Sequence, residues 1–181
     1  VVGGCVPSNS VVVDMKNMNE INFDFKSEIV CVGPGVTIKE LNEKLKQINY
    51  EFPIICNGTI GGIVAMNRPG LMGGYGNIKE WIEEIEFVNG RGELTKFGKA
   101  EIGEVCGLEG ITGIITKIKL KVIPLVERSA SIFQSNDIEE VFVVAKRLRL
   151  EKHIVMLRFY SPYFSKLLGF PEKYHIIVGF D

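Results

Sequence analysis

Three glycine-rich segments hold the residues best suited to bind a ligand through the main chain. They are residues 33–37 (Gly-Pro-Gly-Val-Thr), 59–70 (Thr-Ile-Gly-Gly-Ile-Val-Ala-Met-Asn-Arg-Pro-Gly) and 109–116 (Glu-Gly-Ile-Thr-Gly-Ile-Ile-Thr). Glycine lets a ligand approach the backbone without a Cβ in the way, and unpaired amides where a helix begins favour a pyrophosphate. Apolar neighbours such as Ile60 and Ile111 would cover flat rings. Each segment alone is typical of a structural turn, but together they predict a dinucleotide site on which all three converge.

The sequence lacks the motifs of several other nucleotide and metal sites. No Gly-x-Gly-x-x-Gly opens a helix after a strand, and no Gly-x-x-x-x-Gly-Lys is present, so neither a Rossmann site nor a P-loop is predicted. The cysteines Cys5, Cys31, Cys56 and Cys106 form no Cys-x-x-Cys pair. We therefore expect reduced thiols and no metal site within the chain, with a disulfide as the less favoured alternative.

Composition limits the class of protein. The 181 residues, 46% of them hydrophobic, fit one domain or one domain plus part of a second. The formal net charge of −1 argues against a nucleic-acid partner. No apolar run reaches the roughly 18 residues that span a bilayer, and no signal peptide is visible, so we expect a cytoplasmic protein without a transmembrane segment. Because the chain opens Val-Val-Gly-Gly, without Met, we expect a fragment of a longer sequence.

The elements that position the glycine segments follow from local patterns. Thr37 and Glu40 form a capping box, which begins a helix whose apolar positions include Leu41 and Leu45. A second short helix is predicted at residues 60–66. The predicted strands are short buried ones at residues 11–13 and 29–32, a hairpin of 82–88 and 93–97 around a turn at 89–92, and a half-exposed strand at 114–123 whose lysines form a solvated face.

Glycine use divides the chain into two regions. Of the 20 glycines, 18 lie at or before Gly113, so we place a boundary within residues 124–129. The second region is predicted to contain a strand at 131–133, a helix capped by Asn136, a strand at 154–160, a helix at 163–168 and a strand at 174–180. This alternation indicates the start of a small α+β unit.

An ordered series of motifs spans roughly residues 3–125. It runs Val-Pro-Ser-Asn at 6–9, Pro-Gly-Val-Thr at 34–37, Thr-Ile-Gly-Gly at 59–62, Tyr-Gly at 75–76 and Glu-Gly-x-x-Gly-Ile-Ile-Thr at 109–116. The series resembles the FAD-binding domain of the PCMH-type, or vanillyl-alcohol oxidase, superfamily, and within it glycolate oxidase subunits, D-lactate dehydrogenases and alkyl-dihydroxyacetonephosphate synthase. The superfamily's Arg-Gly-Gly-Gly-Thr-Ser loop is absent, and the stretches at 52–59 and 98–106 are shorter than is typical.

The resemblance implies an α+β fold in two parts. Residues 1–126 would form the FAD-binding domain, with most of its first lobe missing, and residues 127–181 part of an α+β cap domain over the substrate. The implied cofactor contacts are Pro7, Ser8 and Asn9 beside the pyrophosphate loop, Thr59, Gly61 and Gly62 on pyrophosphate and flavin, Asn67, Gly70 and Tyr75 near the isoalloxazine, Gly110 and Gly113 in the third glycine segment, and Ile115 at the adenosine.

The resemblance also implies a reaction, the FAD-dependent oxidation of a small 2-hydroxy acid such as glycolate or D-lactate by hydride transfer to flavin. Such a reaction needs a base for the hydroxyl proton and a cation for the carboxylate. Candidates are His175, Arg68 and Arg158, each with a structural alternative as a core or surface residue. The alternative function is a non-catalytic flavin-binding subunit of a multi-subunit oxidase. The expected partners are the hydroxy acid and either another subunit, which would place the protein at the membrane periphery, or further copies of the chain.

Overall fold

A computed structural model describes residues 7–181, which form a mixed α+β fold as the sequence predicts. The strands are β1 (Ile21–Asp24), β2 (Ile29–Val32), β3 (Tyr50–Glu51), β4 (Ile82–Asn89), β5 (Leu94–Gly98), β6 (Gly113–Lys121), β7 (Ile123–Pro124), β8 (Ser129–Ser135), β9 (Ile154–Tyr160) and β10 (Tyr174–Phe180). The α-helices are α1 (Ile38–Lys46), α2 (Ile60–Ala65), α3 (Ile138–Leu148) and α4 (Pro162–Leu167). Short 3-10 helices are Gly73–Tyr75, Ile78–Trp81 and Ile102–Glu104.

Strand β6 is the centre of the larger sheet, which is antiparallel in the order β1-β2-β6-β4-β5. Its apolar residues Ile118 and Leu120 are fully buried against the helices, as the alternating pattern predicts. On the other face Lys119 lies 3.1 Å from Glu84 of β4. The polar face is therefore solvated and also carries cross-strand ion pairs, which add little stability because they are exposed to solvent.

The predicted capping box fixes the start of α1. The Glu40 carboxylate accepts a 2.9 Å bond from the Thr37 amide, and the Thr37 hydroxyl accepts a 3.2 Å bond from the Glu40 amide. Thr37 also pairs with Thr59 through an isolated β-bridge, which sets the start of α2 beside the start of α1. One side chain thus caps one helix while its backbone aligns the next.

Replacing Thr37 by alanine is expected to lower the free energy of unfolding by about 1 kcal/mol, since it removes the cap acceptor for the Glu40 amide. Urea denaturation followed by circular dichroism measures the change. Thr37→Ser, which retains the hydroxyl, is the control and should stay close to the wild type. An alanine variant as stable as the serine variant would contradict a role for the cap.

Two local predictions are wrong. Residues 11–13 form no strand, and Val11 is 92% exposed, because this apolar run pairs with no strand within residues 7–181. In that part of the chain the first strand begins at Ile21. Helix α3 is capped by Asp137 rather than Asn136, since the Asp137 carboxylate accepts a 2.8 Å bond from the Glu139 amide.

The second region forms a separate three-stranded antiparallel sheet in the order β8-β10-β9. Helix α3 packs on one face through Val141, which is buried with Ile176 and Val178 in a small apolar cluster. The order strand, helix, strand, helix, strand agrees with the sequence prediction. Within residues 7–181, none of the helices combines the length and apolar character that crossing a bilayer requires.

Candidate cofactor site

The second and third glycine segments meet at one cleft of about 280 Å³. Six of the predicted cofactor contacts line it, namely Thr59, Gly61, Gly62, Gly110, Gly113 and Ile115. The remaining lining residues are Val13, Met15, Pro34, Ala65 and Ile114. Pockets that enclose a whole small molecule usually measure about 300–1,000 Å³, so this cleft has room for part of a dinucleotide.

Backbone hydrogen bonds explain why the two segments meet. The Gly107 amide donates to the Val64 carbonyl at 3.1 Å, and the Glu109 amide donates to the Ala65 carbonyl at 2.8 Å. The third segment is therefore attached to the carboxyl end of α2. Gly113 then enters β6, where a Cβ would overlap the Val88 carbonyl oxygen of β4. Gly113 is required by the close approach of two strands and also lines the cleft.

The first glycine segment packs against another part of the same chain. A Cβ on Gly33 would overlap the Met18 carbonyl, and one on Gly35 would overlap the Met15 carbonyl. The interpretation of these two glycines as bare backbone for a ligand is therefore wrong, because residues 15–18 of the same chain occupy that space. Of the residues in the first segment, only Pro34, between the two glycines, lines the cleft.

The first segment instead holds the start of α2. The Ile60 amide donates to the Val36 carbonyl at 2.7 Å, and the Gly61 amide donates to the Pro34 carbonyl at 2.9 Å. A Cβ on Gly61 would lie 2.6 Å from the Pro34 Cβ, so Gly61 is needed for packing. These contacts fix Thr59 and Gly62 on the cleft wall.

Donors on the cleft wall are left without partners within residues 7–181. The Thr59 hydroxyl does not cap α2, and the Gly62 amide makes no hydrogen bond there. A Cβ on Gly62 would meet only the Thr59 hydroxyl at 3.5 Å, and one on Gly110 would meet nothing within 4 Å. Bare backbone with free donors and open space in front of it fits an anionic group. The fit requires no helix dipole, which a six-residue helix such as α2 supplies weakly.

The other predicted cofactor contacts lie outside this cleft. Pro7, Ser8 and Asn9 are exposed and do not line it. Asn67 has a positive φ of 44°, and its side-chain oxygen accepts a 3.3 Å bond from the Lys79 amide and a 3.7 Å contact from the Cys106 thiol. The Asn67 side chain therefore connects its own loop to the 3-10 helix Ile78–Trp81 and to Cys106.

Gly70 and Tyr75 lie further along the same loop. A Cβ on Gly70 would be 3.2 Å from the Ile54 Cα, so this glycine packs against residues 54 and 55. The Tyr75 hydroxyl lies 2.7 Å from both the Asp181 carboxylate and the Arg128 guanidinium. Burial raises the pKa of Tyr75, so its phenol is protonated at neutral pH.

The three candidate catalytic residues lie apart from one another. His175 is 2% exposed inside the second sheet, with Nδ1 2.9 Å from the Ser165 hydroxyl and 3.0 Å from the Lys173 carbonyl. Arg68 is exposed and donates to the Asn57 carbonyl at 3.2 Å. Arg158 is half-buried on β9.

Arg158 differs from most half-buried cations in its partners. Its one side-chain hydrogen bond within residues 7–181 is to the Leu71 carbonyl, at 3.2 Å, and no carboxylate there pairs with it. A half-buried guanidinium has five donors and usually attracts an anion. Of the three candidate catalytic residues, Arg158 is thus the half-buried cation whose surroundings leave it free to bind an anion.

A cluster that the sequence did not indicate joins Glu51, in the two-stranded sheet of β3 and β7, to residues beside the three-stranded sheet. The Arg128 guanidinium binds the Glu51 carboxylate through two nitrogens, donates to Asp181 at 3.1 Å, and lies 5.2 Å above the centre of the Tyr75 ring. The Glu51 side chain is 8% exposed and that of Arg128 is 17% exposed. Because 77 residues separate Arg128 from Glu51, no local pattern could have revealed the pair.

Comparison with known proteins identifies the family. A family model described as an FAD binding domain matches residues 1–98 of the 181. The chain belongs to this FAD-binding family, which agrees with the resemblance found in the sequence, and its cofactor is FAD.

Curated relatives bear the names of dehydrogenases and of an oxidase subunit. A D-lactate dehydrogenase of Archaeoglobus fulgidus is 26% identical over 136 residues, which cover 67% of this chain and 31% of the relative. A D-lactate dehydrogenase of Anaerostipes hadrus is 30% identical over 138 residues, 68% of this chain and 29% of the relative. The glycolate oxidase subunit GlcD of Bacillus subtilis is 26% identical over 67% of this chain and 29% of its own. The chain thus spans less than a third of the length of these relatives.

A solved structure supports the fold assignment. The structure of alkyldihydroxyacetonephosphate synthase superposes with a TM-score of 0.79 at 20% identity, covering 92% of this chain and 37% of that one. At this identity the similarity establishes the architecture of both regions of the chain and nothing finer.

Proposed function

We propose that this chain is the FAD-binding part of an oxidoreductase that converts a small 2-hydroxy acid, such as D-lactate or glycolate, into the 2-oxo acid. The observation that carries the proposal is the cleft where two glycine segments present free donors and open backbone. The names of the relatives, D-lactate dehydrogenase and glycolate oxidase subunit, support the substrate class. Bound FAD would accept the hydride, which carries both electrons, while the hydroxyl proton would pass to a base.

The proposed cofactor contacts follow from the cleft. The Thr59 hydroxyl and the Gly62 amide donate to the pyrophosphate oxygens, and the open backbone at Gly110 allows the ligand to lie against the main chain. Ile115 supplies an apolar wall for a ring. The sequence-based assignments of residues 7–9, Asn67, Gly70 and Tyr75 to the cofactor remain predictions, and the cleft gives them no support.

Arg158 is the proposed partner of the substrate carboxylate. It is half-buried without a carboxylate partner among the described residues, and it contacts Leu71 in the loop that follows the cleft segment. Leu71 in turn donates to the Ile55 carbonyl at 2.7 Å, four residues before Thr59. Through these two hydrogen bonds Leu71 connects the Arg158 guanidinium to the residues just before Thr59. In this proposal residues 127–181 begin the substrate-side domain.

A non-catalytic flavin-binding subunit is the second candidate. It is favoured by the position of the histidines, because His175 is buried and hydrogen-bonded within the second sheet and His153 is exposed in a turn. Neither lines the cleft, so the described residues include no histidine base at the cofactor. In that case the base would come from another polypeptide.

Flavin binding and reduction test the proposal in sequence. The purified full chain is mixed with FAD, freed of excess ligand and examined for the two visible absorption bands of oxidised flavin. Anaerobic D-lactate or glycolate should then bleach the bands. An FAD-free protein would overturn the proposed cofactor role, whereas bound flavin that neither acid reduces, even slowly, would favour the non-catalytic subunit.

Arg158→Met is expected to raise the dissociation constant of oxalate, an unreactive dicarboxylate analogue, about 10- to 100-fold, since a hydrogen bond to a charged group contributes about 1.5–3 kcal/mol. Changes in the visible flavin spectrum report oxalate binding. Arg68→Met is the matched control because it removes the same charge from an exposed site. Equal losses in both variants would point to a general electrostatic effect and contradict the assignment.

A further inference from the structure

We propose that Tyr75 is a positioning residue that acts through Arg158, and that it does not contact the flavin. Its hydroxyl, held between Arg128 and Asp181, fixes the loop of residues 70–76 against the second sheet so that Arg158 is oriented for an anionic substrate. The inference rests on the proposed function, because it concerns the residue that would bind the substrate carboxylate.

The hydrogen-bond directions around Tyr75 are determined by its partners. Arg128 can only donate, so the phenolic oxygen accepts its bond at 2.7 Å. The phenolic proton is then directed to the Asp181 carboxylate, also at 2.7 Å. Both functions of the hydroxyl are used, and both partners carry a charge, which makes these bonds stronger than neutral ones.

The Tyr75 main chain and ring are fixed as well. The Trp81 indole N–H donates to the Tyr75 carbonyl at 2.8 Å, and the two rings meet edge to face at 6.1 Å. The Arg128 Cζ lies over the ring, 5.2 Å from its centre. These contacts restrict the motion of the Tyr75 backbone and ring, and they thereby also restrict the loop that precedes Tyr75.

The same loop lies directly on β9. A Cβ on Gly74 would be 2.8 Å from the Val155 Cα, so the two backbones are in contact. Three residues from that contact on each chain segment, the Leu71 carbonyl accepts the Arg158 bond at 3.2 Å. Since residues 71–75 carry all of these contacts, a shift of Tyr75 would displace the carbonyl that orients Arg158.

Tyr75 does not line the cleft formed by the glycine segments. Since Arg128 and Asp181 already use both functions of its hydroxyl, loss of that hydroxyl should affect the binding of a substrate analogue while leaving the affinity for FAD unchanged. A residue that binds flavin would give the opposite pattern, and a residue with a purely structural role would change thermal stability alone.

Tyr75→Phe in the full chain loaded with FAD tests the inference. The dissociation constant of oxalate, followed by the flavin spectrum, is expected to rise about threefold to tenfold, as for loss of one or two hydrogen bonds. The dissociation constant of FAD, followed by flavin fluorescence, should stay within about twofold of the wild type. Asp181→Ala, which removes the side-chain acceptor, should reproduce the effect in a chain whose tyrosine is intact.

A double-mutant cycle distinguishes positioning from general loosening. In an Arg158→Met background the Tyr75→Phe change should produce no further loss of oxalate affinity, because the residue through which it acts is gone. An unchanged oxalate affinity in Tyr75→Phe, a weakened affinity for FAD, or an undiminished effect in the Arg158→Met background would each overturn the inference. A wild-type chain that binds no FAD would overturn the proposed function itself, and one that binds FAD without any oxalate response would overturn both.

Discussion

Arg128→Met is expected to lower the free energy of unfolding by about 3–5 kcal/mol, the largest loss of stability predicted here. The substitution leaves the Glu51 carboxylate buried without its counter-ion, and it also removes a partner from Asp181 and Tyr75. A charge that is buried and unpaired costs far more than the intact pair contributes. Urea denaturation monitored by circular dichroism measures the loss, provided that the slope of the transition is unchanged.

The double variant Arg128→Met with Glu51→Gln is the matched control. Because it removes both charges and keeps the shapes, most of the lost stability should return. A single variant that loses less than about 1 kcal/mol would show that Glu51 is solvated and that the cluster is an ordinary surface ion pair.

Gly62→Ala is expected to weaken FAD binding about 10- to 100-fold, because the added methyl group occupies the space in front of the free Gly62 amide. The unliganded chain should become more stable by up to about 1 kcal/mol, since alanine favours a helix more than glycine does and the methyl group meets only the Thr59 hydroxyl at 3.5 Å. Flavin fluorescence titration and thermal denaturation of the apo chain measure the two effects.

Gly61→Ala serves as the comparison within the same helix. Its methyl group would lie 2.6 Å from the Pro34 Cβ, so the apo chain should lose stability where Gly62→Ala gains it. Opposite changes in apo stability at two adjacent glycines would separate a packing glycine from a ligand-facing one. If Gly62→Ala binds FAD as well as the wild type does, the proposed cleft is not the pyrophosphate site.

Features that depend on neighbours in sequence were predictable. The Thr37 capping box, the alternation along β6 and the hairpin of β4 and β5 all arise from contacts within a few residues, and the structure contains each of them. The prediction of a strand at residues 11–13 was wrong because a strand also needs a neighbouring strand, which its own sequence cannot specify. Local patterns therefore predict elements better than they predict pairing.

The candidate site was predictable in part, for a related reason. A glycine in the sequence shows where a side chain is absent, but it does not show whether a ligand or another part of the chain occupies that space. At Gly62 and Gly110 the space is open, whereas at Gly33 and Gly35 the chain's own residues 15–18 fill it. The cluster of Arg128 and Tyr75 could not be predicted from local patterns, because its other members are 53 or more residues from Arg128 in sequence and meet it only in the folded chain.

The two backbone bonds from residues 107 and 109 to the end of α2 have a consequence for how a ligand enters and leaves. They join the second and third glycine segments, which form two sides of the cleft. Moving these segments apart would require both backbone hydrogen bonds to break. We therefore expect a bound dinucleotide to exchange without a hinge motion that separates these two segments. We expect the ligand to leave through the open side of the cleft at Gly110, at a rate set by what covers that side.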